Sequence, residues 1–297
     1  LYLSPVVPRS IPVYSIEKFR HFSAENDFYA ERLSSHLKKH HFTRRPHKHD
    51  FYLVVLFIKG SGVHEIDFQS YPVSPGTLFL LNPGQTHTWD LSEDADGFIF
   101  FHTREFYDSV FIHERLHDFP FFSSVHQSPM FKSKIRQPEL IFMFNELVKE
   151  SVASRRYKSL KALSLVNLLY IEFSRIYGTP IAIKNEGYFL KMREFEDLVD
   201  RHYKDLKLPV EYASRMNITE RHLNRIIKIC LNKTPSGLIQ DKIVLEAKRL
   251  LAHSKYSISE VSERLGYIDN SYFSRLFKKR AGQSPREFMT GYKATAS

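Results

Sequence analysis

Leu223-Asn224-Arg225-Ile226-Ile227-Lys228 aligns, fifty residues later, with Phe273-Ser274-Arg275-Leu276-Phe277-Lys278, and Thr234-Pro235 aligns with Ser284-Pro285. A repeat of that period marks two copies of one supersecondary unit. In each copy a short amphipathic helix comes first, roughly Pro209–Met216 or Ser259–Leu265. A turn follows, Asn217-Ile218-Thr219 or Gly266-Tyr267-Ile268-Asp269. Thr219 and Asp269 stand where an N-cap is needed, before a second helix that starts at Glu220 or Asn270. This is the helix-turn-helix plan, in which the second helix lies in the major groove of double-stranded DNA with its N-terminal half against the base edges.

Helical spacing divides the labour within that second helix. Leu223, Ile226 and Ile227, like Phe273, Leu276 and Phe277, fall on one face and are expected in the core. Arginine pairs with guanine and asparagine with adenine, so Arg221, Asn224 and Arg225 are expected to read bases in the first unit. Their counterparts in the second are Asn270, Ser271, Ser274 and Arg275. Lys228, Lys278, Lys279 and Arg280 come later on the helices and are expected at phosphates. Each basic residue alone reads equally well as a solvated helix face. The agreement of both copies in apolar spacing, caps and the Arg-x-x-Lys interval favours the motif. Charge points the same way: from Tyr188 to Ser297 there are 21 Lys+Arg against 13 Asp+Glu, most of the chain's net +10.

Toward the N-terminus the pattern changes. Short apolar runs, Phe51–Lys59, Val63–Phe68, Pro72–Gly76, Thr77–Leu81 and Gly97–His102, are separated by Gly60-Ser61-Gly62 and Asn82-Pro83-Gly84, the signature of a sandwich or barrel. In residues 139–177 Leu140, Phe144, Leu147, Val148, Leu160, Leu163, Val166, Leu169, Tyr170 and Phe173 recur at three and four, which predicts amphipathic helices. Gly178-Thr179-Pro180 is expected to end them. The chain is therefore divided into residues 1–177, a linker at 178–187, and a helical domain over 188–297.

A length of 297 residues accommodates two such domains. The 42% hydrophobic and 26% charged residues fit a globular protein, and no apolar run of about 18 residues crosses a bilayer. Leu1–Arg9 carries two prolines and no signal-peptide core, and the single cysteine, Cys230, has no intrachain partner, so a reducing cytoplasm is expected.

From Asp200 to Gly291 the sequence resembles the DNA-binding domain of AraC/XylS-type transcription regulators. The resemblance is carried by Tyr212-Ala213-Ser214-Arg215-Met216-Asn217-Ile218-Thr219, by Leu265-Gly266-Tyr267 before Tyr272-Phe273-Ser274-Arg275-Leu276-Phe277-Lys278-Lys279, and by Gly282-x-Ser284-Pro285-x-x-Phe288. Ile243-x-x-x-Ala247-x-x-Leu250-Leu251 looks like the helix that joins the two units in that family. Two departures are Ile227, where an aromatic is usual, and Ser262, where alanine is common. Pro46-His47-Lys48-His49-Asp50-Phe51-Tyr52, with Gly60-Ser61-Gly62 and Pro75–His87, is similar to the cupin-like sensor barrel of the same family.

The resemblance implies an α+β two-domain protein: a cupin-like β-barrel with a helical hairpin, followed by an all-α domain with two helix-turn-helix units. It also implies a ligand-responsive, sequence-specific activator of metabolic genes, carbohydrate genes among them. Its partners would be double-stranded DNA, a small-molecule effector, RNA polymerase and a second copy of the chain, with no membrane. His47, His49, Tyr52, His87 and Trp89 are the candidate effector contacts. Cupin enzymes bind metal with a His-x-His pair, a following Glu and a distant His. His47, His49 and His87 supply three imidazoles, but Leu53 and Val54 stand where the Glu would fall, so neither metal nor other cofactor is expected, and no catalytic residue. The alternatives are a metal-dependent cupin enzyme fused to a DNA-binding module and a constitutive architectural DNA binder.

Overall fold

The computed structural model describes residues 12–19, 28–40, 45–111, 116, 119–122, 128–133, 138–177 and 186–295. Val13–Pro180 forms one compact unit, and Ile181–Ser297 falls in the other.

The first unit holds β1 (Val13–Tyr14), β2 (Phe28–Arg32), α1 (Leu33–Lys39), β3 (His47–His49), β4 (Tyr52–Lys59), β5 (Gly62–Ile66), β6 (Gln69–Val73), β7 (Thr77–Leu81), β8 (Thr86–Leu91), β9 (Asp96–His102), α2 (Arg104–Asp108), β10 (Met130–Lys132), α3 (Pro138–Val152) and α4 (Lys158–Tyr177). Two five-stranded sheets result, in the orders β1-β3-β8-β5-β6 and β10-β7-β4-β9-β2. From β3 to β5 and from β6 to β9 the chain passes from one sheet to the other at each step, so every ladder lies within a sheet and none joins the two among the described residues. The expected barrel is thus an open pair of facing sheets. At the passage into β5 a Cβ on Gly62 would sit 2.2 Å from the Asp90 carbonyl oxygen, which explains a glycine there.

β4 fixes the layering. Its run Tyr-Leu-Val-Val-Leu-Phe does not alternate because both faces are covered. Leu53, Val55 and Phe57 pack toward the first sheet with Trp89, Ile66 and Val73. Tyr52, Val54 and Leu56 pack on the other side with Phe144 of α3 and Val166, Tyr170 and Phe173 of α4. The helical hairpin thus forms a third layer. The expected stripe is buried except at its edges: Val148 is partly buried, and Leu160, in the first turn of α4, is 50% exposed. Sequence reading missed β8, because Thr-His-Thr-Trp-Asp-Leu has few apolar residues although His87 and Trp89 alternate inward, and it missed the short β3 as well as β2 and β10. Pro72 is tolerated because β6 is an edge strand.

The second unit is all helix: α5 (Glu186–His202), α6 (Pro209–Arg215), α7 (Glu220–Leu231), α8 (Pro235–His253), α9 (Ile258–Arg264), α10 (Asn270–Ala281) and α11 (Pro285–Thr295). Gly178-Thr179-Pro180 lies outside the described residues, and α5 opens at Glu186, inside the stretch expected as linker. The 19-residue α8 packs against α5, α7, α9, α10 and α11, burying Ile243, Ala247 and Leu251. A charged layer ties it to α5: the buried Lys242 ammonium lies 2.9 Å from Asp200 and 3.2 Å from Glu246, which also meets Arg249.

Candidate functional site

Thr219 caps α7, its hydroxyl accepting from the His222 N–H at 3.1 Å. Asp269 caps α10, its carboxylate accepting from the N–H groups of Ser271 and Tyr272 at 2.8 and 3.1 Å. Both helices have 12 residues and end on a left-handed residue, Asn232 at φ 52° and Gly282 at φ 79°, again fifty positions apart. The copies differ in their turns. Between α9 and α10 there is one residue more than between α6 and α7, and Gly266 takes the sharp bend at φ +78°. A Cβ there would stand 2.0 Å from the Lys204 carbonyl oxygen.

The apolar stripes are core as expected: Leu223, Ile226, Ile227, Phe273 and Phe277 are fully buried, and Leu276 nearly so. Arg221, Asn224, Arg225 and Lys228 are exposed on α7. Asn270, Ser271, Arg275, Lys278, Lys279 and Arg280 are exposed on α10, with Ser274 half-buried. Several are already engaged. Asn224 donates to the Glu220 carbonyl at 3.0 Å, and Asn270 donates to the Ser259 hydroxyl at 2.6 Å, tying α10 to α9. Arg280 pairs with Asp241 and reaches the Gly237 carbonyl, so it braces α10 against α8. Tyr188 of α5, a residue the sequence reading passed over, lies 5.7 Å from the His222 ring and 5.9 Å from the Arg225 guanidinium.

In the first unit the two-residue period of β3 puts His47 and His49 on one face. Pairing with β8 sets His47 opposite His87, and pairing of β8 with β5 sets His64 opposite Trp89. All five side chains are buried. Ring centroids are 4.4 Å apart for His47 and His87, 4.8 Å for His47 and His49, and 5.0 Å for His49 and His87. One nitrogen from each of these three rings lies within 4.8 Å of the other two. His47 Nδ1 donates to the Arg45 carbonyl at 2.7 Å, and His64 Nε2 and His87 Nδ1 are 2.9 Å apart. Nδ1 of His49, Nδ1 of His64, Nε2 of His87 and Nε1 of Trp89 have no hydrogen-bond partner. Burial pushes the His47 imidazole down to about 4 and holds His49, His64 and His87 well below the ordinary range, with neighbouring imidazoles adding to the effect. Near neutral pH all four are uncharged lone-pair donors.

Tyr52 does not join this group. The alternation of β4 turns it to the helical layer, where its hydroxyl accepts from Arg104 at 3.2 Å and its ring meets Phe122. Sequence reading also missed His64. The signal was present in Gly-Val-His-Glu-Ile, where His64 and Ile66 share the inward face.

Two family profiles match the chain, one described as a helix-turn-helix domain over residues 212–291 and one as an AraC-like ligand binding domain over residues 28–137. The chain is 26% identical over 256 residues to the arabinose operon regulatory protein of Salmonella typhimurium, covering 84% of this chain and 87% of that one. It is 23% identical over 255 residues to the HTH-type transcriptional activator RhaS of Salmonella schwarzengrund, covering 82% and 87%. Among solved structures, ToxT from Vibrio cholerae superposes with a TM-score of 0.43 at 14% identity, over 89% of this chain and 98% of that one.

Proposed function

This chain belongs to the AraC-type transcription regulators with an N-terminal sensor domain, and from that premise we propose that α7 and α10 read two successive major grooves of one operator while the sensor unit sets the output. The observation that carries the reading is the equivalence of the two helices in length, caps, buried stripe and exposed polar residues. α8, which packs against both, is about 28 Å long at 1.5 Å per residue, comparable to the roughly 34–36 Å turn of the duplex.

Arg221, Asn224 and Arg225, with Asn270, Ser271, Ser274 and Arg275, are the base-reading set. Lys228, Lys278 and Lys279 meet phosphate, and Arg280 does so only in addition to its brace on Asp241. A small-molecule effector is sensed on the histidine face, where His47, His49, His87 and Trp89 are gathered. The names of the relatives favour activation of metabolic genes, with a carbohydrate operon as target. The chain works in the cytoplasm as a homodimer that engages RNA polymerase and performs no catalytic step. Exposed Phe142 of α3 and Leu168 of α4 support a self-association surface on the hairpin. No helix among the described residues is long and apolar enough to cross a membrane.

Selection of the full chain against random duplexes tests the proposal. A defined consensus is expected, bound about 10³-fold or more tighter than random DNA at physiological salt. Equal affinity for all sequences would contradict it.

A further inference from the structure

We infer that His47, His49 and His87 form a three-imidazole site for a divalent transition-metal ion such as zinc, and that His64 orients His87 within it. The inference deepens the sensor reading, on which it rests for its regulatory meaning, and it reverses the expectation that the histidine face is metal-free.

Unpartnered polar atoms are rare in native interiors, and each costs about 1–3 kcal/mol. Here two of them, His49 Nδ1 and His87 Nε2, occur on two of the three rings that converge. The other nitrogen of each ring is spoken for. His47 Nδ1 is fixed by the Arg45 carbonyl, His87 Nδ1 faces His64 Nε2, and His49 has its remaining bond to the Tyr14 backbone carbonyl. With protons on the outer nitrogens of His49 and His87, His49 Nδ1 and His87 Nε2 each keep a lone pair for an ion, and His47 brings a nitrogen within 4.8 Å of theirs. Such outer hydrogen bonds are what fix the tautomer of metal-ligating histidines.

The donor set selects the ion. Three neutral nitrogens suit zinc, cobalt, nickel or copper, whereas magnesium and calcium require oxygen ligands that this cluster does not contain. Zinc–nitrogen bonds of about 2.0–2.1 Å in a tetrahedron put donors about 3.3 Å apart. The donors, which now lie within 4.8 Å of one another, therefore draw together by up to about 1.5 Å on binding. Three protein ligands leave a fourth position open.

The experiment uses tag-free full chain, stripped with chelator and titrated with cobalt(II), then zinc(II). One equivalent per chain is expected, with cobalt ligand-field bands that zinc abolishes. His49→Ala and His87→Ala remove stoichiometric binding. His64→Gln keeps the bands but weakens binding about 10–100-fold, a change that loss of packing alone would not confine to the metal. His253→Ala, in the other unit, changes nothing. Should the alanine variants lose their fold by circular dichroism, the wild-type titration decides. Absence of ligand-field bands, or a Kd weaker than about 100 μM, overturns the site. Operator binding is read in the same samples. A zinc-loaded chain with unchanged DNA affinity keeps the site and removes its role as signal. A chain that ignores zinc but responds to a metabolite removes the site and keeps the effector reading.

Discussion

Arg225 and Arg275 occupy equivalent exposed positions on α7 and α10, and each carries the guanidinium that pairs bidentately with guanine. Arg275→Ala is expected to cost about 1–3 kcal/mol on the preferred operator and to relax selectivity in one half of it. A loss of equal size on random duplexes would remove it from the reading set. Lys278→Ala is expected to weaken every sequence alike and to lower the slope of log K against log salt by about 0.9. Arg280→Ala differs from both, because α10 loses its brace on Asp241 and the Gly237 carbonyl and leaves Asp241 with the Lys233 ammonium 3.6 Å away, and a lower melting temperature should accompany the weaker binding. In the sensor unit, burial pushes His102 down to about 4, while its ring bridges the Thr103 carbonyl and the Tyr170 hydroxyl. A folded value below the unfolded 6.5 means that the unfolded chain takes up the proton first, so stability is full above about 6.5 and is lost as pH falls toward 4. His102→Gln should reduce that slope by up to about 1.4 kcal/mol per pH unit, as read from melts between pH 7 and 4. An unchanged slope would assign the acid sensitivity to the other buried histidines.

At the scale of elements the second unit was largely legible, because capping and turn chemistry are local. Thr219 and Asp269 cap as expected, and α7 and α10 begin at the expected residues. Thr219→Ala and Asp269→Ala should each cost about 0.5–2 kcal/mol in denaturant titrations. Gly266→Ala should cost more than either, since it adds a left-handed alanine to a 2.0 Å clash with Lys204; a variant as stable as wild type would show that the turn rearranges freely. The sheets were less legible. β3 has three residues, and β8 carries histidine and threonine at buried positions, so neither presents the apolar alternation that marks a strand. The misplacement of Tyr52 has the same origin. A strand buried on both faces reads as one apolar run, and its register alone decides that 52, 54 and 56 face helices while 53, 55 and 57 face the other sheet. His64 was overlooked because its neighbours across the ladder, not its neighbours in sequence, bring it to His87 and Trp89.

For the whole molecule, regulation requires that the sensor's ligand distinguish two states of the protein, since equal affinity for both shifts nothing. A coupling of about 1–3 kcal/mol, or about 5–150-fold in operator affinity, is the scale expected between the sensor face and DNA. It should appear in the full chain and vanish when His49 and His87 are replaced together. Beneath any such coupling stands the claim that one chain lays two equivalent helices into two grooves, and hydroxyl-radical and methylation-interference footprinting of the full chain on its selected operator tests this most directly. The account predicts two protected major-groove segments on one face of the duplex with centres about 10–10.5 base pairs apart, one lost with Arg225→Ala and the other with Arg275→Ala. Protection confined to a single groove, or loss of the same segment in both variants, would contradict it.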